Sequence, residues 1–119
     1  DIEIGENVSF SANCIVFSSN RVVMKKNSVV AAFVYLLSGG EYDLDDPTPF
    51  ALQKGTCTKG PLEIGEGCWL GAGAKVLDGA GLGDRCVIGA GAVVNQPVPA
   101  DAIAVGVPAR VVKTRKTAE

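Results

Sequence analysis

Histidine is missing altogether from the 119 residues. That absence excludes, within this chain, imidazole metal sites, Ser-His-Asp and Cys-His nucleophile systems, and any histidine general base. Aromatic residues are scarce at 6%, so the core has to be built from small aliphatics. A strongly basic field is lacking too. Eleven Lys and Arg against 13 Asp and Glu leave a net charge of −2, which argues against a nucleic-acid partner. The longest apolar run, Val29 to Leu37, has nine residues, well short of the ~20 a bilayer span needs, so no membrane partner is expected. No signal-like region leads the sequence. Cys14, Cys57, Cys68 and Cys86 include no C-x-x-C pair. The expectation is therefore no disulfide framework, no metal, and a reducing, cytoplasmic setting.

What is present is 47% hydrophobic residues and 15 glycines, enough for one domain spanning 1–119. A period of six dominates it. From Ile64 an aliphatic returns at Leu70, Val76, Leu82, Ile88 and Val94, with glycine directly after four of them, at Gly65, Gly71, Gly83 and Gly89. Four residues after each aliphatic stands something small: Cys68, Ala74, Ala80, Cys86, Ala92, then Val98. Neither an amphipathic helix nor an alternating strand produces this spacing.

The N-terminal third carries a weaker copy. Ile4, Phe10 and Val16 are six apart, and Met24, Val30 and Leu36 resume after a two-residue slip. A period of six implies a short strand and a tight corner, with three repeats making one triangular coil. Four coils then stack, and three inward ladders follow: Ile4/Met24/Ile64/Leu82, Phe10/Val30/Leu70/Ile88 and Val16/Leu36/Val76/Val94. Cys68 and Cys86 fall in one ladder as small core residues. Between Leu36 and Leu62 the period stops, and Ser38 to Pro49 is rich in glycine, proline and acids, which reads as a loop over 38–61.

Glu63-Ile64-Gly65-Glu66-Gly67-Cys68-Trp69-Leu70-Gly71-Ala72-Gly73-Ala74, the run Ile88 to Val94, and Gly106-Val107-Pro108-Ala109-Arg110 together resemble the hexapeptide-repeat acyltransferases, above all their sugar and exopolysaccharide O-acetyltransferases. The resemblance implies an all-β fold, a left-handed parallel β-helix with a long loop after the second coil and a short cap at about 97–119. The left hand comes from the family, since the general crossover rule favours the right-handed form. It also implies a homotrimer with sites between subunits, acetyl-coenzyme A as co-substrate, and acetyl transfer to a hydroxyl or amino group of a small acceptor such as a sugar. The alternative is a trimeric β-helical scaffold or binding protein that has lost its catalytic base.

The family's base is a histidine in the loop, and Tyr42 stands in its place. A tyrosine is protonated near neutrality and is a poor base. The catalytic candidates are thus Tyr42 as a hydrogen-bonding partner, with Glu41 or Asp43 as the carboxylate that takes the proton. For the coenzyme the resemblance indicates Gly71, Ala72, Gly73, Ala90 and Gly91, small residues that let the pantetheine arm approach backbone N–H and C=O groups. Arg110 and Lys113, in a tail that also holds Arg115 and Lys116, suit its phosphates. Trp69, the only tryptophan, points outward by the repeat register, toward a neighbouring subunit or the substrate. Phe33 occupies a position where some relatives carry an acceptor-binding asparagine.

Overall fold

The computed structural model describes residues 1–115. Thirteen short strands alternate with corners: β1 (Ile2–Ile4), β2 (Ser9–Phe10), β3 (Ile15–Ser18), β4 (Val22–Met24), β5 (Val29–Val30), β6 (Tyr35–Ser38), β7 (Leu62–Ile64), β8 (Trp69–Leu70), β9 (Lys75–Val76), β10 (Val87–Ile88), β11 (Val93–Val94), β12 (Ala102–Val105) and β13 (Arg110–Thr114). A single 3-10 turn, Phe50–Leu52, interrupts the loop.

The strands stack into three parallel sheets that form the faces of a prism. Face A holds β1, β4 and β7; face B holds β2, β5, β8, β10 and β12, with β13 added antiparallel at its end; face C holds β3, β6, β9 and β11. Each expected ladder is present residue by residue. Ile4 pairs with Met24, Met24 with Ile64 and Ile64 with Leu82. Phe10, Val30, Leu70 and Ile88 follow on face B, and Val16, Leu36, Val76 and Val94 on face C. The long interruption leaves the register intact, because Met24 still lies under Ile64.

Burial explains why these positions must be aliphatic. Ile64, Leu70, Val76, Leu36 and Ile88 are all at most 1% exposed, and fully burying such a side chain contributes about 1.5–3 kcal/mol. The small residues Cys68, Ala74, Ala80, Cys86 and Ala92 are buried just after the corners. Cys68 and Cys86 are free thiols that donate to the Gly83 and Pro99 carbonyls of the following coils. Contact with Cys86, and then burial, push the Cys68 thiol well above its ordinary value. The first coil differs: Ile4 and Phe10 are 44% and 38% exposed, since among the described residues nothing stacks on their outer side.

The stack runs further than the expected cap. Val98, read from spacing as a small corner residue, is instead a ladder residue under Leu82, and Ala104 lies under Ile88. A two-residue shortening of the corner after Val94 produces this, so a fifth, partial coil precedes the antiparallel turn into β13.

Candidate active site

The chain passes from face B to face C at one corner of the prism, through residues 11–13, 31–33, 71–73 and 89–91. It passes from face C to face A at another, and the 39–61 loop leaves from there. Face C therefore lies between the glycine-rich corner and the loop. Its outward side is mainly apolar, carrying Ile15, Phe17, Tyr35, Leu37 and Val93. Lys75 extends across it, its Nζ 5.9 Å from the Tyr35 ring centre.

At the glycine-rich corner the third residue after each inward aliphatic has positive φ: Asn13, Phe33, Gly73 and Gly91 stack there in order. The amides of Gly71, Gly73, Gly89 and Gly91 are not available to a ligand, because they donate to carbonyls of neighbouring coils. The sequence reading is corrected on this point. It is the Ala72 and Ala90 amides, one in each coil, that have no protein acceptor among the described residues. Both alanines are exposed, and a Cβ built on Gly91 would meet nothing within 4 Å. The corner is thus a bare track of small residues with two amides that have no protein acceptor among the described residues.

The basic tail does not act as one cluster. Arg110, exposed, pairs with Val105 at the end of β12 nearest the glycine corner. Lys113 lies opposite Ile103, midway along face B. Arg115 is drawn to the corner between faces A and B, where its guanidinium donates to the Arg85 carbonyl and its amide to the Asp101 carbonyl. There Arg85 forms a paired ion bridge with Asp101 at 2.7 and 3.2 Å, and it holds the Asp101 carboxyl below the usual range. Lys116 lies outside the described residues. Among the tail's described basic residues, then, only Arg110 sits beside the glycine-rich corner.

Glu41, Tyr42 and Asp43 are all exposed at the start of the loop. The Cys57 amide donates to the Glu41 carbonyl at 2.6 Å, closing the loop on itself. Gln53 ties its tip by bonding the Asp43 amide, the Asp43 carbonyl and the Thr48 carbonyl. The Tyr42 ring leans on Phe50, with centroids 5.6 Å apart. The three candidates are not equivalent. One oxygen of Asp43 accepts the Asp45 amide in a local turn, whereas the Glu41 carboxylate bonds no group among the described residues. Glu41 borders two cavities. One, of about 440 Å³, lies against Gly40, Tyr42, Leu44 and Phe50; the other, of about 380 Å³, lies against Phe17, Leu37, Leu77 and Asp78. Asp46, by contrast, is held below the ordinary carboxylate range by hydrogen bonds from Thr48.

Asp78 is the residue that reading the sequence missed. It is only 3% exposed and holds both ends of the loop. Its Oδ1 accepts from the Gly39 amide at 2.7 Å and the Thr58 hydroxyl at 3.1 Å, and its Oδ2 from the Lys59 amide at 2.6 Å. The available signal was an acid in a corner otherwise made of small and apolar residues, Leu77-Asp78-Gly79-Ala80.

Repeat, prism and corner define a parallel β-helix of hexapeptide type, and its structural neighbours are left-handed β-helices. Residues 61–96 match the family described as bacterial transferase hexapeptide (six repeats). The chain carries that family's repeat and is similar to its acetyltransferases over nearly its whole length. It is 32% identical over 114 residues to a galactoside O-acetyltransferase of Escherichia coli (strain K12), covering 95% of this chain and 54% of that one. The chain thus spans about half the length of that curated relative. In structure it is similar to a maltose O-acetyltransferase from Clostridium difficile 630, with a TM-score of 0.87 and 30% identity over 98% of this chain and 60% of that one. It is also similar to a hexapeptide-repeat acetyltransferase from Vibrio cholerae O1 biovar eltor complexed with acetyl coenzyme A, with a TM-score of 0.85, 25% identity and coverage of 98% and 61%. No helix among the described residues is long and apolar enough to cross a membrane.

Proposed function

We propose that the protein transfers the acetyl group of acetyl-coenzyme A to a hydroxyl or amino group of a small acceptor such as a sugar. The observation that carries this reading is the bare track at Gly71–Gly73 and Gly89–Gly91, separated by an apolar face from a loop that carries an unengaged carboxylate. The Ala72 and Ala90 amides would bond the pantetheine arm, and Arg110 its phosphates. Acceptor and thioester are held together, so the acceptor atom attacks the thioester carbonyl directly and no enzyme nucleophile is needed. The acceptor's proton passes to Glu41, the carboxylate left free by the loop's own bonding. Tyr42 and Asp43 shape the acceptor side, Tyr42 through its contact with Phe50. The coenzyme A thiolate then leaves as the acetylated product forms.

The working unit is a homotrimer with its sites between subunits. Two adjoining faces support this. Face B presents Val29 and Trp69, 49% and 57% exposed, with Val87 and Ile103; face C presents Ile15 and Phe17, 45% and 44% exposed. Face A is polar, with Glu3, Glu63, and Arg21 paired to Asp1 and Glu3. A cyclic assembly that sets face B of one copy on face C of the next would cover both apolar sides. Trp69→Glu is expected to convert the trimer to monomer in sedimentation velocity without unfolding it. A trimer that survives the charge at that position would remove Trp69 from the interface. The setting proposed for the protein is the reducing cytoplasm, in which Cys68 and Cys86 stay free thiols.

The reaction is tested by following the release of free coenzyme A thiol from acetyl-coenzyme A, with hydroxyl and amino sugars offered in turn. Acceptor-dependent release is expected. A folded trimer that releases thiol with none of them would leave the scaffold reading in its place.

A further inference from the structure

The hydrogen bonds of the loop divide sharply. Within residues 39–59 the loop bonds itself, through Glu41 and Cys57, Asp43 and Gln53, and Thr48 and Asp46. Among the described residues, every hydrogen bond from residues 39–59 to the coils ends on one side chain, Asp78, and one further tie, from the Ser38 hydroxyl at the end of β6 to the Gly60 carbonyl, closes the exit of the loop. Its carboxylate is buried and held by neutral donors: two backbone amides, one at each end of the loop, and one hydroxyl. Gly39 and Gly40, at the entry, and Gly60, at the exit, all have positive φ. The chain therefore turns sharply on both sides of the latch.

We propose that Asp78 is a positioning residue for the loop, setting where Glu41 stands relative to face C. The geometry leads from the carboxylate to the site in two steps. Gly39, bonded to Asp78, is two residues from Glu41, and Asp78 and Glu41 border the same cavity of about 380 Å³. Because one carboxylate fixes entry and exit together, the segment from Gly40 to Cys57 is placed as a unit. Loss of the carboxylate frees that unit while leaving the ladders of the prism paired, since no ladder residue depends on Asp78. This inference rests on the reading that the loop supplies the carboxylate for transfer; the latch itself is tested independently of that reading.

The experiment compares the full chain with Asp78→Asn and Asp78→Ala by hydrogen exchange, acetyl-coenzyme A titration and thiol release. Amides of 39–59 should exchange roughly tenfold or more faster in Asp78→Ala, and less so in Asp78→Asn, which keeps one acceptor oxygen, while Leu70 and Ile88 amides hold their protection. Acetyl-coenzyme A should bind both variants within about twofold of the parent, because its track is on the far corner, while acceptor-dependent release falls by roughly tenfold or more. Unchanged loop exchange, or faster exchange shared equally by the coils, would overturn the latch. A freed loop with undiminished release would overturn the positioning role. If the parent chain itself fails to bind acetyl-coenzyme A, the transferase reading falls, and the exchange data still decide whether Asp78 holds the loop.

Discussion

Gly65→Val is expected to destabilise the protein by on the order of 3–4 kcal/mol. The cause is stacking distance. A Cβ at Gly65 would lie 2.5 Å from the Gly83 carbonyl carbon and 2.6 Å from the Asp84 amide nitrogen. Those atoms are backbone of the next coil, held by the Gly65 amide's bond to the Leu82 carbonyl and the Arg85 amide's bond to the Glu66 carbonyl. They cannot swing aside as a side chain could, so the coils must separate. Gly91→Ala provides the contrast. Its Cβ would meet nothing within 4 Å, and only its φ of +70° opposes a side chain, a cost of about 1–2 kcal/mol. Urea midpoints for the two variants measure the difference. Equal losses would mean that backbone conformation, and not coil-to-coil distance, demands glycine at these corners.

The second large effect concerns the ligand. Ala90→Phe is expected to weaken acetyl-coenzyme A binding by roughly 100-fold, about 2.8 kcal/mol at 1.4 kcal/mol per decade. Ala90 is exposed at the corner, and its amide is one of the two without a protein acceptor. A benzyl group there covers the track without entering the core, so the urea midpoint should stay near that of the parent. This pairing separates a blocked groove from a damaged fold. Calorimetric titration of the variant reads it directly, and undiminished affinity would move the coenzyme to another surface.

The ladders were legible in the sequence because each rung is a single residue type at a fixed interval. Steric demand inside a narrow prism leaves the aliphatic, the following glycine and the small residue little freedom. Even the two-residue slip before Met24 and the interruption before Ile64 could be bridged, since period six resumes after each of them. Val98 shows where that logic stopped. Four residues after Val94 it matches a small position, and only the shortened corner shifts it to the ladder position under Leu82.

The site was legible in part. Gly71–Gly73 and Gly89–Gly91 do share one corner, but the sequence could not say which amides the stacking consumes, because that depends on the neighbouring coil. Arg110 and Arg115 are five residues apart in sequence, yet a strand lying along face B carries them to different corners. The Asp78 latch spans 39 residues to Gly39 and 20 to Thr58, and corners tolerate many polar residues, so no repeat rule singled it out. Glu41 and Asp43 looked alike until the Asp45 amide was found on the Asp43 carboxylate.

Calorimetric titration of the parent protein with acetyl-coenzyme A tests the central claim most directly. Saturable binding at one site per chain is the predicted result. No heat of binding from a folded trimer would contradict the assignment of the glycine corner as a coenzyme track, and with it the transferase reading.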